Sequence, residues 1–105
     1  WYISGQPVAL DLDTLETVRT ETFGGKLPKN VSAHSKVDPV TGEFVFFDYA
    51  LYEAKMSFGT VSAEGRLTQF QEVDLPGPRL PHDMGLTVNY VILHDLPVIF
   101  SDSAI

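Results

Sequence analysis

The chain has 105 residues, a formal net charge of −7 and no cysteine. This length allows at most one small domain, and the negative charge argues against a nucleic-acid backbone as the partner. The lack of cysteine excludes a disulfide framework, a thiolate metal site and a cysteine nucleophile. No apolar run approaches the roughly 20 residues of a membrane-spanning helix, and no secretory leader is visible. We therefore expect a cytoplasmic protein with no transmembrane segment.

The first part of the chain reads as short strands joined by turns. Residues 7–12 alternate weakly between apolar and polar side chains, and the threonines of residues 15–23 favour a strand over a helix. A further short strand is predicted over residues 31–37, which carry His34. A strong turn follows at residues 38–43, DPVTGE, because proline suits the second position of such a turn and glycine a later one.

The middle of the chain carries the clearest strand signal. Residues 43–51, EFVFFDYAL, are rich in aromatic and β-branched side chains. Residues 56–63 read as the next strand, with Gly59 as a possible bulge. Residues 66–73 read as a third strand after a hairpin-like turn. We expect three consecutive strands here.

The last part of the chain begins with an irregular segment. Residues 76–81, PGPRLP, contain three prolines, each of which removes a backbone donor. Residues 82–87 are then expected to be extended, residues 89–94 to form a buried strand, and residues 98–100 to begin another. Short strands with turns between them, and no sustained helical period, predict an all-β protein: a sandwich, a barrel or a propeller.

Both ends of the sequence favour a partial chain. It opens on Trp1-Tyr2-Ile3 without an initiator methionine and closes on the apolar run of residues 97–101. Exposed apolar strands at both ends would be open edges, which complete proteins usually protect. We therefore expect residues 1–105 to be part of one larger domain, truncated at both ends.

The three histidines, His34, His82 and His94, are the candidate metal ligands. His34 and His82 lie too far apart in the chain to form a local metal motif. A lone histidine in a β protein is usually a structural or surface residue, so on the residues alone a metal role is the less common interpretation for each. His94 lies in an apolar strand beside a turn, where a local hydrogen bond would satisfy it.

Other side chains near the histidines have simpler interpretations than chemistry. Asp83 could accept a hydrogen bond that fixes a histidine tautomer. Alternation along a strand would point it away from the His82 ring, however, which favours a bond to nearby backbone. Ser32 and Ser35 flank His34, but adjacency in sequence does not make a nucleophile–base pair. Aromatic residues at strand spacing more often form core than line an apolar pocket. They are Phe46, Phe47, Tyr49 and Tyr52.

Two stretches of the sequence resemble the motifs of the carotenoid oxygenase family. Residues 33–43, AHSKVDPVTGE, resemble its AHPK-DP-TGE stretch. Residues 82–97 resemble its HD-x-A-x-T-x-N-Y segment and the D-x-P that follows. The connecting residues 23–27, 47–49 and 76–81 look most like the branch that includes lignostilbene dioxygenases. The resemblance covers nearly the whole chain, in order.

The resemblance implies about two blades of a seven-bladed β-propeller. Family members hold a non-haem Fe(II) on the axis through four histidines and cleave a conjugated carbon–carbon double bond with O₂, which gives two carbonyl products. The motif match makes His34 and His82 the first two metal ligands, since neutral imidazoles suit Fe(II), and assigns no other catalytic residue. The implied partners are O₂ and an apolar conjugated substrate, a carotenoid, apocarotenoid or stilbene, with the aromatic strands helping to wall its tunnel.

The sequence departs from the family pattern at a few positions. A glutamate that orients one ligand, and in the stilbene-cleaving branch a substrate-binding lysine beside it, would fall near Trp1-Tyr2-Ile3, where neither is present. Ser35 stands where proline is frequent, and Gly85 stands where alanine is usual. Two alternatives to a dioxygenase stay open: a non-catalytic propeller segment with a binding or structural role, and an isomerase or ester-processing enzyme of the same family.

Overall fold

The computed structural model describes residues 4–28, 30–99, 101 and 103, and its elements are all strands. They are β1 (Ser4–Gly5), β2 (Val8–Leu10), β3 (Thr17–Thr20), β4 (Val31–Ser32), β5 (Lys36–Val37), β6 (Phe44–Tyr49), β7 (Lys55–Val61), β8 (Leu67–Asp74), β9 (Gly85–Leu86) and β10 (Val91–Ile92). The all-β class expected from the sequence is confirmed. Within these described residues, no helix is long and apolar enough to cross a bilayer.

A four-stranded antiparallel sheet in the order β5–β6–β7–β8 is the largest unit. The other strands pair as β1 with β4, β2 with β3, and β9 with β10. The turn predicted at residues 38–43 joins β5 to β6. Asp38 Oδ1 accepts the backbone N–H groups of Val40 and Thr41 at 2.7 and 3.2 Å, and Gly42 takes a φ of 73°. This turn brings β5, and with it the residues that follow His34, alongside β6.

Strand β6 is buried on both of its faces. One face packs around Phe47 and reaches Met84, and the other packs around Phe46 and reaches Val31. Burial on both faces explains why this strand reads as a nearly continuous apolar run. Each buried phenylalanine contributes on the order of 1.5–3 kcal/mol. The first histidine motif is the segment around His34 (residues 31–37), and it includes Val31. The second histidine motif is the segment around His82 (residues 81–87), and it includes Met84. Each face of β6 therefore anchors one motif.

The bulge expected at Gly59 is not observed. Gly59 pairs regularly with both neighbouring strands, and the shift in register falls later, between Thr60 and Val61. A Cβ at position 59 would lie 2.5 Å from Phe46 Cζ and 2.6 Å from the backbone oxygen of Gln69. The glycine is therefore required by the close approach of the Phe46 ring and of the neighbouring backbone, and not by a bulge.

Two of the early strands are shorter than the sequence pattern predicts. The strand expected over residues 31–37 is divided into β4 and β5 by a turn at Ala33 and His34. The strand expected over residues 15–23 is reduced to β3, because Leu15 takes a left-handed φ of 60° in the turn that precedes it. A turn thus interrupts the first of these predicted strands, and another turn precedes and shortens the second.

The end of the chain also contains less strand than expected. The segments predicted over residues 82–87 and 89–94 are reduced to the two-residue strands β9 and β10. Residues 98–99 are not part of a strand. Phe100 and residues 1–3 lie outside the described residues, so the expectation of open apolar edges at both ends stays a prediction.

Candidate metal centre

The first histidine motif is a tight turn at the end of β4. Ser32, the last residue of β4, has no exposed surface. Its hydroxyl accepts the backbone N–H of His34 at 3.5 Å, and its carbonyl accepts the Ser35 hydroxyl at 2.9 Å. The side chain of His34 is 41% exposed. The two serines therefore shape the turn that presents the imidazole.

The second motif is a pair of exposed residues between two buried anchors. Pro81 and Met84 are buried, and Met84 packs in the cluster around Phe47. His82 and Asp83, which lie between them, are exposed. The ring of Pro81 also fixes its own φ and so restricts the backbone that leads into His82. The segment therefore presents an imidazole and a carboxylate on a backbone held at both ends.

The structure brings the two motifs together at their imidazoles. The Nε2 atoms of His34 and His82 are 3.0 Å apart. The ring centroids are 4.5 Å apart, and the ring planes meet at 64°. The two rings, 48 positions apart in the chain, thus direct the same nitrogen towards one point. Their role as metal ligands stays a prediction.

The separation of the two nitrogens fits a shared metal ion. Two nitrogens about 2.1 Å from one metal, the usual metal–imidazole distance, are about 3.0 Å apart when the two bonds are at right angles. The same separation fits a hydrogen bond between two neutral imidazoles. Imidazole nitrogens suit Fe(II), so the donor set fits the metal that the family resemblance implies. In the described part of the chain, no group of three or more His, Cys, Asp or Glu residues could hold a metal.

An ion pair connects the two motifs beside the imidazoles. Lys36 Nζ lies 2.7 Å from Asp83 Oδ1 and 3.3 Å from the backbone oxygen of His34. The second carboxylate oxygen, Asp83 Oδ2, lies 3.8 Å from His34 Nδ1. Asp83 Oδ1 also accepts the backbone N–H of Met84 at 2.7 Å. The hydrogen bond from Lys36, followed by that from Met84, lowers the pKa of Asp83, so the carboxylate is ionised at neutral pH.

The place of Asp83 was only partly predictable from the sequence. The expected bond to nearby backbone is present, to Met84. The approach of the carboxylate to His34, and the contribution of Lys36, were missed. A signal was available: a lysine follows the first histidine closely and an aspartate follows the second directly. In the structure these opposite charges, Lys36 and Asp83, lie 2.7 Å apart beside the two imidazoles.

The remaining candidate residues lie outside this group. Phe46 and Phe47 have no exposed surface and Tyr49 is buried, whereas Tyr52 is 66% exposed. The core interpretation is thus confirmed for Phe46, Phe47 and Tyr49 and is wrong for Tyr52, which follows the end of β6 and faces solvent. His94 does not complete a three-residue metal group in the described chain. Its Nδ1 is buried and has no hydrogen-bond partner among the described residues.

The sequence is similar to those of known oxygenases. The family model described as RPE65, retinal pigment epithelial membrane protein, matches residues 3–104. Lignostilbene-α,β-dioxygenase isozyme III from Sphingomonas paucimobilis is 40% identical over 92 residues, which cover 84% of this chain and 19% of that protein. Carotenoid 9,10(9′,10′)-cleavage dioxygenase 1 from Phaseolus vulgaris is 33% identical over 86 residues, which cover 82% of this chain and 16% of that protein.

The fold is similar to those of solved structures with related names. Lignostilbene dioxygenase from Pseudomonas brassicacearum matches with a TM-score of 0.84 at 29% identity, over 94% of this chain and 22% of that one. Cobalt-substituted Synechocystis apocarotenoid oxygenase matches with a TM-score of 0.71 at 27% identity, over 89% of this chain and 21% of that one. The chain thus spans about a fifth of the length of these relatives.

The similarity in sequence and the similarity in fold agree. The structural neighbours are propellers, so the strands described above are part of a β-propeller. The family model covers almost the whole chain, and both sequence relatives are oxygenases by name. The chain belongs to the RPE65 family, the family of the carotenoid oxygenases and lignostilbene dioxygenases.

Proposed function

We propose that this chain supplies two histidine ligands of a non-haem Fe(II) centre in an enzyme that cleaves a conjugated carbon–carbon double bond with O₂. The observation that carries the proposal is the 3.0 Å separation of the Nε2 atoms of His34 and His82. The names of the relatives support it, since they are dioxygenases of lignostilbene and carotenoids. One structural relative is a cobalt-substituted protein, which supports a transition metal in the family.

In this proposal His34 and His82 act as neutral donors. Each directs Nε2 towards the shared point, so each keeps its ring proton on Nδ1. The bound iron would supply the redox chemistry of O₂. One O₂ and one carbon–carbon double bond give two carbonyl groups, so the reaction balances without a further reductant. The two residues of this chain hold the metal, and they take no part in proton transfer.

The substrate and the extent of the protein belong to the same proposal. We propose an apolar conjugated substrate, a stilbene, a carotenoid or an apocarotenoid, because the relatives are named for substrates of these classes. Residues 1–105 would be one part of a larger propeller domain, because the chain spans about a fifth of the relatives it matches. The remaining metal ligands would then come from the rest of that domain.

The test is product analysis on the complete protein encoded by the parent gene, with a lignostilbene or an apocarotenoid under ¹⁸O₂. The wild type and the matched control His94→Ala should give two carbonyl products that carry the label. His34→Ala and His82→Ala should give none. Cleavage that persists in both variants would contradict the ligand role. An isomerised product with an intact carbon skeleton would favour the isomerase, and the absence of any product would favour a binding or structural segment.

A further inference from the structure

We propose that Lys36 and Asp83 form a positioning pair for His34, in which the Asp83 carboxylate, held by Lys36, orients the His34 ring so that its Nε2 faces His82. This inference rests on the proposed function, since it explains how a metal-ligating imidazole is oriented. Neither Lys36 nor Asp83 is itself a ligand in this proposal. Each acts through His34.

The orientation of the Asp83 carboxylate is fixed by two donors on one oxygen. Asp83 Oδ1 accepts from Lys36 Nζ and from the Met84 backbone N–H, each at 2.7 Å. Met84 is a buried member of the core, so its N–H is a fixed point. The second oxygen, Oδ2, is left on the side of His34, 3.8 Å from Nδ1. The carboxylate therefore directs negative charge at the ring nitrogen that faces away from His82.

The negative charge of Asp83 beside His34 Nδ1 favours the tautomer that a metal ligand needs. A neutral imidazole carries one proton, and a carboxylate beside Nδ1 favours that proton on Nδ1. The lone pair of Nε2 is then free to face the point shared with His82. At 3.8 Å the contact is longer than a direct hydrogen bond. Its effect is electrostatic, and it both holds the proton on Nδ1 and disfavours rotation of the ring.

Lys36 connects this carboxylate to the turn and to the sheet. Its Nζ contacts Asp83 and also the backbone oxygen of His34 at 3.3 Å. Its backbone is part of β5, where it pairs with Val45 of β6. The ion pair is partly exposed, with 35% of the Lys36 side chain and 54% of the Asp83 side chain accessible. Exposed ion pairs contribute little to stability, so orientation of His34 is the better explanation for this pair.

A second ion pair in the sheet provides a matched control. Lys55 Nζ lies 4.0 Å from Asp74 Oδ1, and these two residues face each other across β7 and β8. Lys55 is 43% exposed and Asp74 is 90% exposed. The control pair thus has the same residue types on an antiparallel ladder, away from the two histidine motifs.

The experiment measures the affinity of the complete protein for Co²⁺ by competition with a chelator, together with the visible spectrum of the bound ion. Asp83→Ala should weaken Co²⁺ binding roughly 10–100-fold, the usual effect of removing a carboxylate behind a metal-bound histidine. Asp83→Asn keeps the shape of the side chain but removes its charge, so it should weaken binding about as much as Asp83→Ala, because the effect on Nδ1 is electrostatic. Lys36→Met should weaken binding less than Asp83→Ala, and the double variant should be no weaker than Asp83→Ala alone, because the two residues act as one unit. Lys55→Met and Asp74→Ala should bind like the wild type.

The outcomes separate this inference from the proposed function. One outcome is that His34→Ala loses Co²⁺ while Asp83→Ala and Lys36→Met keep the affinity and spectrum of the wild type. The proposal that Lys36 and Asp83 position His34 is then wrong, and the ligand role of His34 stands. If His34→Ala also binds like the wild type, both are wrong. If the Lys55 and Asp74 controls lose as much Co²⁺ affinity, the loss reflects a general effect of charge, and the positioning role of Lys36 and Asp83 is wrong. Circular dichroism checks the fold, and if Asp83→Ala does not fold, Asp83→Asn and Lys36→Met decide the matter.

Discussion

The four-stranded sheet and the two histidine motifs are held in place by different forces. Strands β6, β7 and β8 are 6, 7 and 8 residues long, and β6 is buried on both faces. The strands beside the histidines, β4, β5, β9 and β10, have 2 residues each. The sheet is stabilised by burial of apolar surface, whereas the motifs are shaped by turn hydrogen bonds and one ion pair between partly exposed side chains.

This difference separates the position of the site from its orientation. Val31 and Met84 anchor the two motifs on opposite faces of β6, so the sheet sets where the motifs lie. The polar contacts of Lys36 and Asp83 then set how the imidazoles face each other. Substitutions in the sheet should therefore lower the free energy of unfolding, and substitutions at the histidines should change metal binding instead. The following changes, made in the complete protein, are ordered by their expected effect on unfolding.

Phe47→Ala should be the most destabilising, with a loss of about 3–5 kcal/mol, because it removes a large buried side chain and leaves a cavity. Phe47 has no exposed surface and packs in the cluster that includes Met84. Urea denaturation measures the loss. Tyr90→Ala is the control: Tyr90 is 73% exposed, so its loss should stay within about 0.5 kcal/mol. Equal losses for the two variants would contradict a core centred on β6.

Gly59→Ala should cost about 1–3 kcal/mol, because the new methyl group overlaps the Phe46 ring and the backbone of β8. The clash with Gln69 O, at 2.6 Å, cannot be relieved by a side-chain rotation. Thermal denaturation of the variant should show a clear fall in Tm. In the control Gly77→Ala, the methyl group would meet only the end of the Arg79 side chain, at 3.0 Å. A Gly59→Ala protein as stable as Gly77→Ala would contradict the close approach of Phe46.

Asp38→Ala should cost on the order of 1 kcal/mol, because it removes the acceptor for two backbone N–H groups in the turn between β5 and β6. Asp38→Asn keeps a side-chain oxygen at this position and should recover most of the loss. Urea denaturation of the two variants compares them directly. If both variants lose the same free energy, the carboxyl oxygen does not hold this turn, and β5 is positioned in another way.

His34→Ala should have the smallest effect on unfolding, within about 0.5 kcal/mol for the metal-free protein, because partly exposed residues contribute little to stability. The side chain is 41% exposed. The comparison is made by denaturation in the presence of a chelator, so that metal binding does not add to the stability of the wild type. A large loss without metal would show that the imidazole is a structural residue of the turn.

The parts of the fold that depend on local sequence were predictable. The aromatic run of β6 and the DPVTGE turn appear where the sequence indicates them. The division of residues 31–37 was not predicted, because it depends on Ser32, whose buried carbonyl accepts the Ser35 hydroxyl. Gly59 was assigned to a bulge, because the sequence does not show that the Phe46 ring lies against it.

The candidate site was predictable only as two separate motifs. On the residues alone a metal role was the less common interpretation for every histidine, and the approach of His34 to His82 depends on contacts between segments that are distant in the chain. The motif match to the carotenoid oxygenases supplied that connection. The ion pair of Lys36 and Asp83 was missed, because the two residues are 47 positions apart in the chain. Contacts between distant segments, such as these, follow from the packing of Val31 and Met84 against β6, which no local sequence pattern shows.

The central claim is that His34 and His82 bind one metal ion, and the most direct test is the iron content of the complete protein after anaerobic reconstitution with Fe(II). The wild type and His94→Ala should retain about one equivalent of iron, whereas His34→Ala and His82→Ala should each lose it, because each removes an imidazole ligand. If both variants retain as much iron as the wild type, the 3.0 Å contact is a hydrogen bond between two structural histidines and not half of a metal centre.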